Sequence, residues 1–375
     1  MNNKAVIAMS GGVDSSVAAA LMLNSGYDCI GVTLKLYDGD DMVPIHRGCC
    51  SGTPTRGCCS LEDVNDARNV AYRLNMAHYV LNFTEPFRDE VIRRFIDIYE
   101  KGGTPNPCID CNRYIKFERL LYRARQLDFD LLVTGHYARI ERDGARGRWL
   151  LKKAADAKKD QSYVLYCLTQ EQLERTRFPL GDLTKSQVRE IAEERGFINA
   201  KKRDSQDICF VPDGDYGRFM ETWTGKHYPE GNIIEYHTGK LLGTHRGIVR
   251  YTLGQRRGLG IARNEPMYVA AKSVADNTVT LGPAGSLYSK AFTVEALNLI
   301  ACERIESPLR VKVKTRYQQQ EQWAAAEQTG EDTLRVEFDE PQRAITPGQA
   351  AVLYDGDVVV GGGTISAIDT KNAIN

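Results

Sequence analysis

The chain has 375 residues, which at ~150 residues per domain predicts two or three domains rather than one. A hydrophobic content of 42% with 26% charged residues is that of a folded globular protein and excludes wholesale disorder. Lys+Arg and Asp+Glu number 49 each, so a chain coated uniformly in positive charge is excluded, although a local basic face is not.

In chain order, the N-terminus opens on one lysine and a short apolar run, Ala5–Met9, without the layout of a secretory signal. The longest apolar stretches, such as Val17–Leu23, fall short of a membrane span. The reading is a cytoplasmic protein with no membrane partner. Its 10 cysteines are then reduced, and serve as metal ligands, catalytic thiols or core residues rather than a disulfide framework.

Residues 4–135 alternate strand and helix. Lys4–Met9 reads as a buried strand, Ser15–Ser25 as a helix stopped by Gly26, and Asp28–Leu36 as a second strand. Leu61–Leu74 reads as a helix with Ser60 as N-cap and Asp63 behind it, and His78–Asn82 as a third strand. Pro86–Lys101 and Tyr114–Gln126 read as helices, and Leu131–Thr134 as another strand. This order predicts a parallel sheet covered by helices. Residues 138–152 read as a hairpin and 160–196 as helical, with Thr184 and Gln187 forming a capping box and Gly196 the stop.

Beyond about residue 210 short β-runs dominate, apart from a helix at Tyr216–Trp223. Asp276-Asn277 and Asp355-Gly356 read as hairpin turns, and the last stretch closes naturally as a small barrel. The predicted division is 1–209, 210–290 and 291–375: an α/β nucleotide-binding domain with a parallel sheet, a small central domain and a C-terminal β-barrel.

The first strand runs into Ser10-Gly11-Gly12-Val13-Asp14-Ser15-Ser16 and then a helix. Two glycines let the backbone turn tightly, and the following helix points unpaired N–H groups at the same place, as anion binding requires. Ser10, Ser15 and Ser16 add hydroxyls, and Asp14, badly placed against bare phosphate, reads as a Mg²⁺ partner. The Gly-Lys-[Ser/Thr] ending of a Walker loop and the Gly-x-Gly-x-x-Gly of a dinucleotide site are both missing. A simple glycine turn is the bland alternative. Ser-Gly-Gly-Val-Asp-Ser after a first strand resembles the loop of the ATP pyrophosphatases, which adenylate a carbonyl-type oxygen and let a nucleophile displace AMP. That loop alone leaves amidation, lysine addition and sulfur transfer open.

The cysteines separate these. Asn106-Pro107-Cys108-Ile109-Asp110-Cys111 precedes a helix expected to begin near Arg113, which places Cys111 where a helix N-terminus favours the thiolate. Cys209 lies in Asp204-Ser205-Gln206-Asp207-Ile208-Cys209-Phe210. Two such thiols suit sulfur transfer: one carries a persulfide and the other resolves it. These segments, with Thr134-Gly135-His136-Tyr137, Lys159-Asp160-Gln161-Ser162-Tyr163, Thr252-Leu253-Gly254-Gln255-Arg256-Arg257-Gly258 and Thr346-Pro347-Gly348-Gln349, resemble the tRNA-specific 2-thiouridylase family from residue 6 to about residue 365.

The resemblance implies a function: ATP-dependent conversion of the wobble uridine of certain tRNAs to 2-thiouridine, with a persulfide sulfur-donor protein as partner. It implies ATP bound by Ala8, Met9, Ser10, Gly11, Gly12, Val13, Asp14 and Ser15, with Leu34 and Gly135 lining the adenosine. Cys111 becomes the nucleophile and Cys209 the persulfide carrier, and the two end as a disulfide. Asn106, Pro107 and Cys108 meet the target base, while His136, Lys159, Asp160, Gln161, Arg316, Tyr317 and Gln349 touch the tRNA.

The basic runs are readable on their own. Residues 246–264 hold five arginines and no acid, and Arg310, Lys312, Lys314 and Arg316 alternate with smaller residues, which on a strand puts four cations on one face. A solvated strand face is the competing reading.

One departure concerns Cys108, where most of that family carries Asp. It creates a trio with Cys111 and Cys209, similar to that by which a neighbouring family of tRNA thiolation enzymes holds a [4Fe–4S] cluster. The alternative function is therefore the same thiolation with a cluster on Cys108, Cys111 and Cys209. Cys49-Cys50 and Cys58-Cys59 read as a thiol-rich active-site loop rather than a zinc site, because adjacent cysteines chelate one metal poorly. Cys29, Cys167 and Cys302 sit in apolar runs and read as core, and His78 as structural. An amidotransferase using the same loop lacks a glutaminase-like segment, and a silent RNA-binding protein has no use for Asp14, Cys111 and Cys209.

Overall fold

The computed structural model describes residues 3–37, 61–203, 208–261 and 264–369. By internal packing the chain divides into two units, Met1–Ile92 with Pro107–Gly214 and Asp357–Val359, and Arg93–Asn106 with Asp215–Gly356 and Val360–Asn375. Ser60, Cys49, Cys50, Cys58, Cys59 and residues 204–207 lie outside the described residues.

The first unit is built on β1 (Lys4–Ala8), β2 (Asp28–Lys35), β3 (His78–Asn82), β4 (Leu131–Val133) and β7 (Thr176–Arg177), in the order β3-β2-β1-β4-β7. Every neighbouring pair is parallel. Between β4 and β7 the chain forms a hairpin, β5 (Arg139–Asp143) and β6 (Arg148–Lys152). The central strand is covered on both faces, which is why Ala5, Val6 and Ile7 form an unbroken apolar run instead of alternating.

Helix α1 (Val13–Asn24) buries Val17 and three consecutive alanines, small enough for the helix to lie close on the sheet. Its chain leaves through Gly26 at φ +81°, the left-handed stop expected from the sequence. Helix α2 (Leu61–Arg73) packs through Ala67, Val70 and Ala71. In the same core lie Val188 and Ala192 of a late helix, Lys185–Glu194.

Two sequence expectations change here. The helix carrying the cysteines does not begin near Arg113. Helix α3 consists of Pro107–Asp110, Cys111–Leu120 and Leu121–Gln126 in unbroken succession, the middle stretch being π-helical. Pro107 starts it because a first-position proline has no N–H to leave unpaired and arrives with φ already set. Residues 160–196 are likewise not one helical stretch. Ser162–Leu165 and Gln170–Glu174 are short helices, the second opened by a capping box between Thr169 and Gln172. Then come β7 and Pro179, and only afterwards α4 (Lys185–Glu194), whose Thr184–Gln187 capping box is as expected.

The second unit holds the helix Arg93–Glu100 and α5 (Tyr216–Thr224), the latter capped by Asp215 and ended by Gly225 at φ +67°. Their aromatic faces meet: Tyr99 stacks on Tyr216 at 6.2 Å between ring centroids, and Phe95 lies edge-on to the same ring at 5.9 Å. A four-stranded sheet follows, made of β8 (Gly231–Glu235), β9 (Leu241–His245), β10 (Tyr268–Ser273) and β11 (Thr278–Gly282), in the order β10-β11-β8-β9. Asn277 takes φ +46° at the predicted β10–β11 turn.

The barrel comprises β12 (Tyr288–Leu299), β13 (Leu309–Lys314), β14 (Gln322–Gln328), β15 (Thr333–Arg343), β16 (Ala350–Asp355) and β17 (Val358–Ile368). They run in the order β12-β15-β14-β13-β16-β17, and β12–β17 pairing closes the ring, leaving no free edge. Alternate residues such as Val311, Val313, Leu334, Val336 and Phe338 fill its centre. Phe338 is 1% exposed and lies 5.7 Å from Phe292. Phe338→Ala should cost about 3–5 kcal/mol of barrel stability, seen as faster backbone hydrogen exchange across β14 and β15.

Candidate active site

The glycine loop leaves the C-terminal end of β1, between β1's two sheet neighbours β2 and β4. Strand order reverses there, which in an open parallel sheet is where the ligand crevice lies. Gly11 has φ +74°, and a Cβ on it would stand 2.3 Å from the Asp63 carbonyl oxygen. Both the backbone angle and the close approach therefore demand glycine. The loop after β4 meets it from the other side: a Cβ on Gly135 would fall 2.7 Å from the Asp14 carbonyl carbon and the Ser15 nitrogen.

The loop hydroxyls are used within the turn. Ser15 and Ser16 are buried, and each donates to the Gly12 carbonyl at 3.0 Å. They brace the turn, because a buried carbonyl needs donors. Ser10 alone of the three is exposed. Asn199, 2% exposed, donates to the Gly11 carbonyl and the Ser16 hydroxyl, both at 2.9 Å. No side chain caps α1 at Gly12, so the first N–H groups of the helix are left to face an anion. Met9 and Val13 are core, while Ala8 and Leu34 are half-buried beside the loop on adjoining strands.

Asp14 is held by two residues that sequence reading passed over. Lys185 Nζ donates to Oδ1 and Oδ2 at 2.7 and 2.8 Å, and Tyr137 Oη donates to Oδ1 at 2.7 Å. Lys185 is the first residue of α4. A cation there opposes the helix dipole, and that misplacement is the one signal the sequence offered. Lys202 bonds Asp63 at 2.7 Å and Asp66 at 2.5 Å, tying the start of the Cys209 segment to α2. A carboxylate oxygen at Asp14 suits a hard Mg²⁺ ion, and the uncapped helix with its glycine turn suits a polyphosphate, so these residues fit both.

Cys108 and Cys111 occupy the second and fifth positions of α3, one turn apart on the same side of the helix, with Cys108 exposed and Cys111 half-buried. The π-helical register starts at Cys111 itself, a distortion common at functional positions. Neighbouring Asn112 is 2% exposed and anchors the helix through Nδ2 to the Val164 carbonyl at 3.0 Å. Half-buried Cys209 is held through its carbonyl by Tyr37 Oη at 3.1 Å, and Phe210 beside it packs 5.8 Å from Phe87.

Cys167 is buried beneath α3, 3.8 Å from the Ile109 carbonyl, and burial pushes its thiol up to about 11, as it does for Cys29. Both are core thiols, and Cys302 is half-buried against the barrel core. Among the described residues no three His, Cys, Asp or Glu side chains gather to hold a metal ion. Cys108, Cys111 and Cys209 are thus not gathered as a set of cluster ligands.

The residues expected to touch tRNA divide. His136 is 9% exposed, wedged 5.9 Å from both Phe117 and Phe178, with Nδ1 2.7 Å from Thr134 Oγ1. Direct RNA contact does not fit that burial. Asp160 accepts from Ala154 N and Ser162 Oγ at 3.0 and 2.7 Å, and Gln161 Oε1 accepts from Tyr137 N at 2.9 Å. These two shape the loop that carries Tyr137, while Lys159 is half-buried beside them.

In the second unit, Gln349 Nε2 donates to the Thr104 and Pro105 carbonyls at 2.9 and 3.0 Å, fixing the chain that leads into Asn106. Arg316 lies past the end of β13, not on its face. Its Nη2 donates to the Leu253 and Ala344 carbonyls at 3.2 and 2.8 Å and to Thr346 Oγ1 at 2.9 Å. Tyr317 beside it is 38% exposed.

The expected face of four cations is therefore three, and Arg310 pairs with Asp339, an acid supplied by β15. Arg250, from the acid-free run, pairs with Asp215 at 3.0 Å and Glu221 at 2.6 Å. The acids absent locally arrive from other elements.

Fold and site define a nucleotide-dependent α/β enzyme with a phosphate loop and helix-borne thiols in one unit, followed by a β-sheet domain and a barrel. Residues 3–213 match the family described as tRNA methyl transferase HUP domain, 218–283 its PRC-barrel domain, and 289–365 an aminomethyltransferase beta-barrel domain. The tRNA-specific 2-thiouridylase MnmA of Clostridioides difficile (strain 630) is 50% identical over 365 residues, 97% of this chain and 98% of that protein. MnmA of Acetivibrio thermocellus is 49% identical over 363 residues, 96% and 99% of the two chains. A crystal structure of a 4-thiouridine synthetase–RNA complex with bound ATP aligns at TM-score 0.36 and 20% identity, over 56% of this chain and 45% of that one. The chain belongs to the tRNA-specific 2-thiouridylase family.

Burial, with Lys116 nearby, holds His136 well below its ordinary 6.5. As pH falls through 6.5 the unfolded chain takes up a proton that the folded chain refuses, so this contribution is present above 6.5 and lost on acidification. His136→Gln should flatten the loss of stability between about pH 7 and about pH 5, measured as urea midpoints.

Proposed function

We propose that this protein is an ATP-dependent tRNA-uridine 2-sulfurtransferase that makes 2-thiouridine at the wobble position, with AMP and pyrophosphate as the other products. The observation that carries this reading is the pairing, within one unit, of an uncapped phosphate loop at the sheet's switch point with a half-buried Cys111 in the opening turns of α3. Family membership over nearly the whole chain supports it.

The C2 carbonyl of uridine is a poor electrophile. ATP and Mg²⁺, held by residues 8–15 with Leu34 and Gly135 beside the adenosine, supply the activation: the C2 oxygen is adenylated and becomes a leaving group. Asp14 is the residue that would hold Mg²⁺. Cys209 carries the transferable sulfur as a persulfide loaded by a donor protein. Either the persulfide's terminal sulfur attacks C2, or Cys111 thiolate attacks the Cys209 sulfur and frees sulfide to do so. AMP departs with the C2 oxygen, the Cys209 S–S bond breaks, and Cys111 and Cys209 end as a disulfide that a reductant reopens. The start of α3 offers the thiolate a partly positive environment.

Asn106, Pro107 and Cys108 meet the base, which must leave the anticodon stack to reach them. Lys159, Tyr317, Arg256 and Lys312 are the better-placed contacts for RNA. Asp160, Gln161, Gln349 and Arg316 act by shaping the loops beside them. The domain boundaries 1–209, 210–290 and 291–375 and a cytoplasmic location belong to the same reading. Among the described residues no helix is long and apolar enough to cross a membrane.

Purified protein with tRNA, ATP, Mg²⁺ and a persulfide donor should yield 2-thiouridine by nucleoside mass spectrometry. Cys111→Ser and Cys209→Ser should yield none, and Asp14→Asn should form neither AMP nor pyrophosphate while still binding tRNA. Cys108→Asp should stay active. An inactive Cys108→Asp variant, with iron near four per chain in protein purified without oxygen, would restore the cluster reading.

A further inference from the structure

The phosphate loop contains its own acid, and that acid is already neutralised. Lys185 Nζ grips both Asp14 oxygens at 2.7 and 2.8 Å, with the lysine side chain only 12% exposed. Helix stability does not ask for lysine there, because the N-terminal end of α4 repels a cation. Yet the backbone around it is fixed: Thr184 and Gln187 form the capping box, and Lys185 N donates to Asp156 Oδ2 at 3.0 Å. A flexible four-carbon stem thus rises from a rigid base and ends on the loop. The other lysine at the loop, Lys202, is engaged by Asp63 and Asp66.

Tyr137 donates to Asp14 Oδ1 at 2.7 Å from a buried position, 2% exposed. This second anchor keeps the carboxylate aimed when the ammonium moves. A Mg²⁺ ion binding Asp14 would take the place where the ammonium stands, and two cations on one carboxylate repel. A MgATP complex is still anionic, so the displaced ammonium has a new partner at hand in the phosphates.

We propose that Lys185 is a catalytic residue of the adenylation step: it neutralises Asp14 in the empty loop and passes to the departing pyrophosphate when Mg²⁺ claims the carboxylate. This rests on the thiolation reading above. In the step, the uridine C2 oxygen forms a bond to the α-phosphorus as the bond from that phosphorus to the β-bridging oxygen breaks. The electron pair leaves on pyrophosphate, and the base's N3 proton goes to solvent. Lys185 stays protonated throughout and acts by charge, where a preorganised donor facing developing charge is worth about 100-fold or more in rate.

The test compares Lys185→Ala, Lys185→Gln and Lys185→Arg with wild type. Pyrophosphate release in the presence of tRNA is followed at saturating ATP, and binding of inorganic pyrophosphate is measured by calorimetry with and without Mg²⁺. Lys185→Ala and Lys185→Gln should lower kcat about 100-fold with KM for ATP little changed, and weaken pyrophosphate binding at least tenfold. Half-saturation by Mg²⁺ should move to lower concentration, since no ammonium at position 185 competes for Asp14. Lys185→Arg should recover most of the rate.

If Lys185→Ala fails to fold because Asp14 is left bare, the Asp14→Asn/Lys185→Ala pair removes that strain, and pyrophosphate binding by the pair compared with Asp14→Asn alone still reads Lys185. Unchanged kcat and unchanged pyrophosphate affinity, in a preparation whose wild type thiolates tRNA, would overturn the proposal. A wild type that makes no 2-thiouridine would instead sink the reading beneath it, while lost pyrophosphate affinity in Lys185→Ala would still stand for the lysine.

Discussion

The Gly12 carbonyl accepts hydrogen bonds from two buried hydroxyls, those of Ser15 and Ser16, and the nucleotide end of the molecule depends on that knot. It pins a turn that only glycine at position 11 can make, at φ +74° against the Asp63 backbone. The turn in turn aims the uncapped start of α1 outward. Asn199 reinforces it from below, and Gly135 lets the β4 loop close on it. Their value lies in presenting backbone N–H groups that need no rearrangement when an anion arrives.

Charge around this turn is arranged in two layers. Lys202 is fixed on Asp63 and Asp66 and joins α2 to the segment running toward Cys209. Lys185 is held on both Asp14 oxygens by the end of a flexible four-carbon stem. One pair is architecture, and the other is poised at the reacting end. The thiols follow a similar division. Cys29 and Cys167 are buried, with their thiols pushed up to about 11, whereas Cys108, Cys111 and Cys209 keep exposure on the same unit.

Much of this was legible in the sequence where the signal is local. The first strand, the glycine loop and helix α1 sit in consecutive residues, and so does the Thr184 capping box. The barrel was readable because alternation such as Arg310-Val311-Lys312-Val313 has the period of a strand. What escaped reading is what distant segments bring together. Asp339 on β15 neutralises Arg310, and Asp215 and Glu221 neutralise Arg250, so runs without acids overstated the free positive charge. His136 looked like a contact residue because of its motif, yet Phe117 and Phe178, on other segments, enclose it. The start of α3 was placed late because Pro107 was read as a loop residue and not as the first residue of a helix.

The central chemical claim is that the C2 oxygen of the uridine is the atom adenylated. A tRNA carrying ¹⁸O at C2 of the wobble uridine, thiolated by this protein with ATP and a persulfide donor, tests it directly by mass spectrometry of the released AMP. One ¹⁸O is expected in the AMP phosphate for each 2-thiouridine formed. Unlabelled AMP with the ¹⁸O recovered in water would contradict it, because the oxygen would then have left the base without ever being bonded to phosphorus.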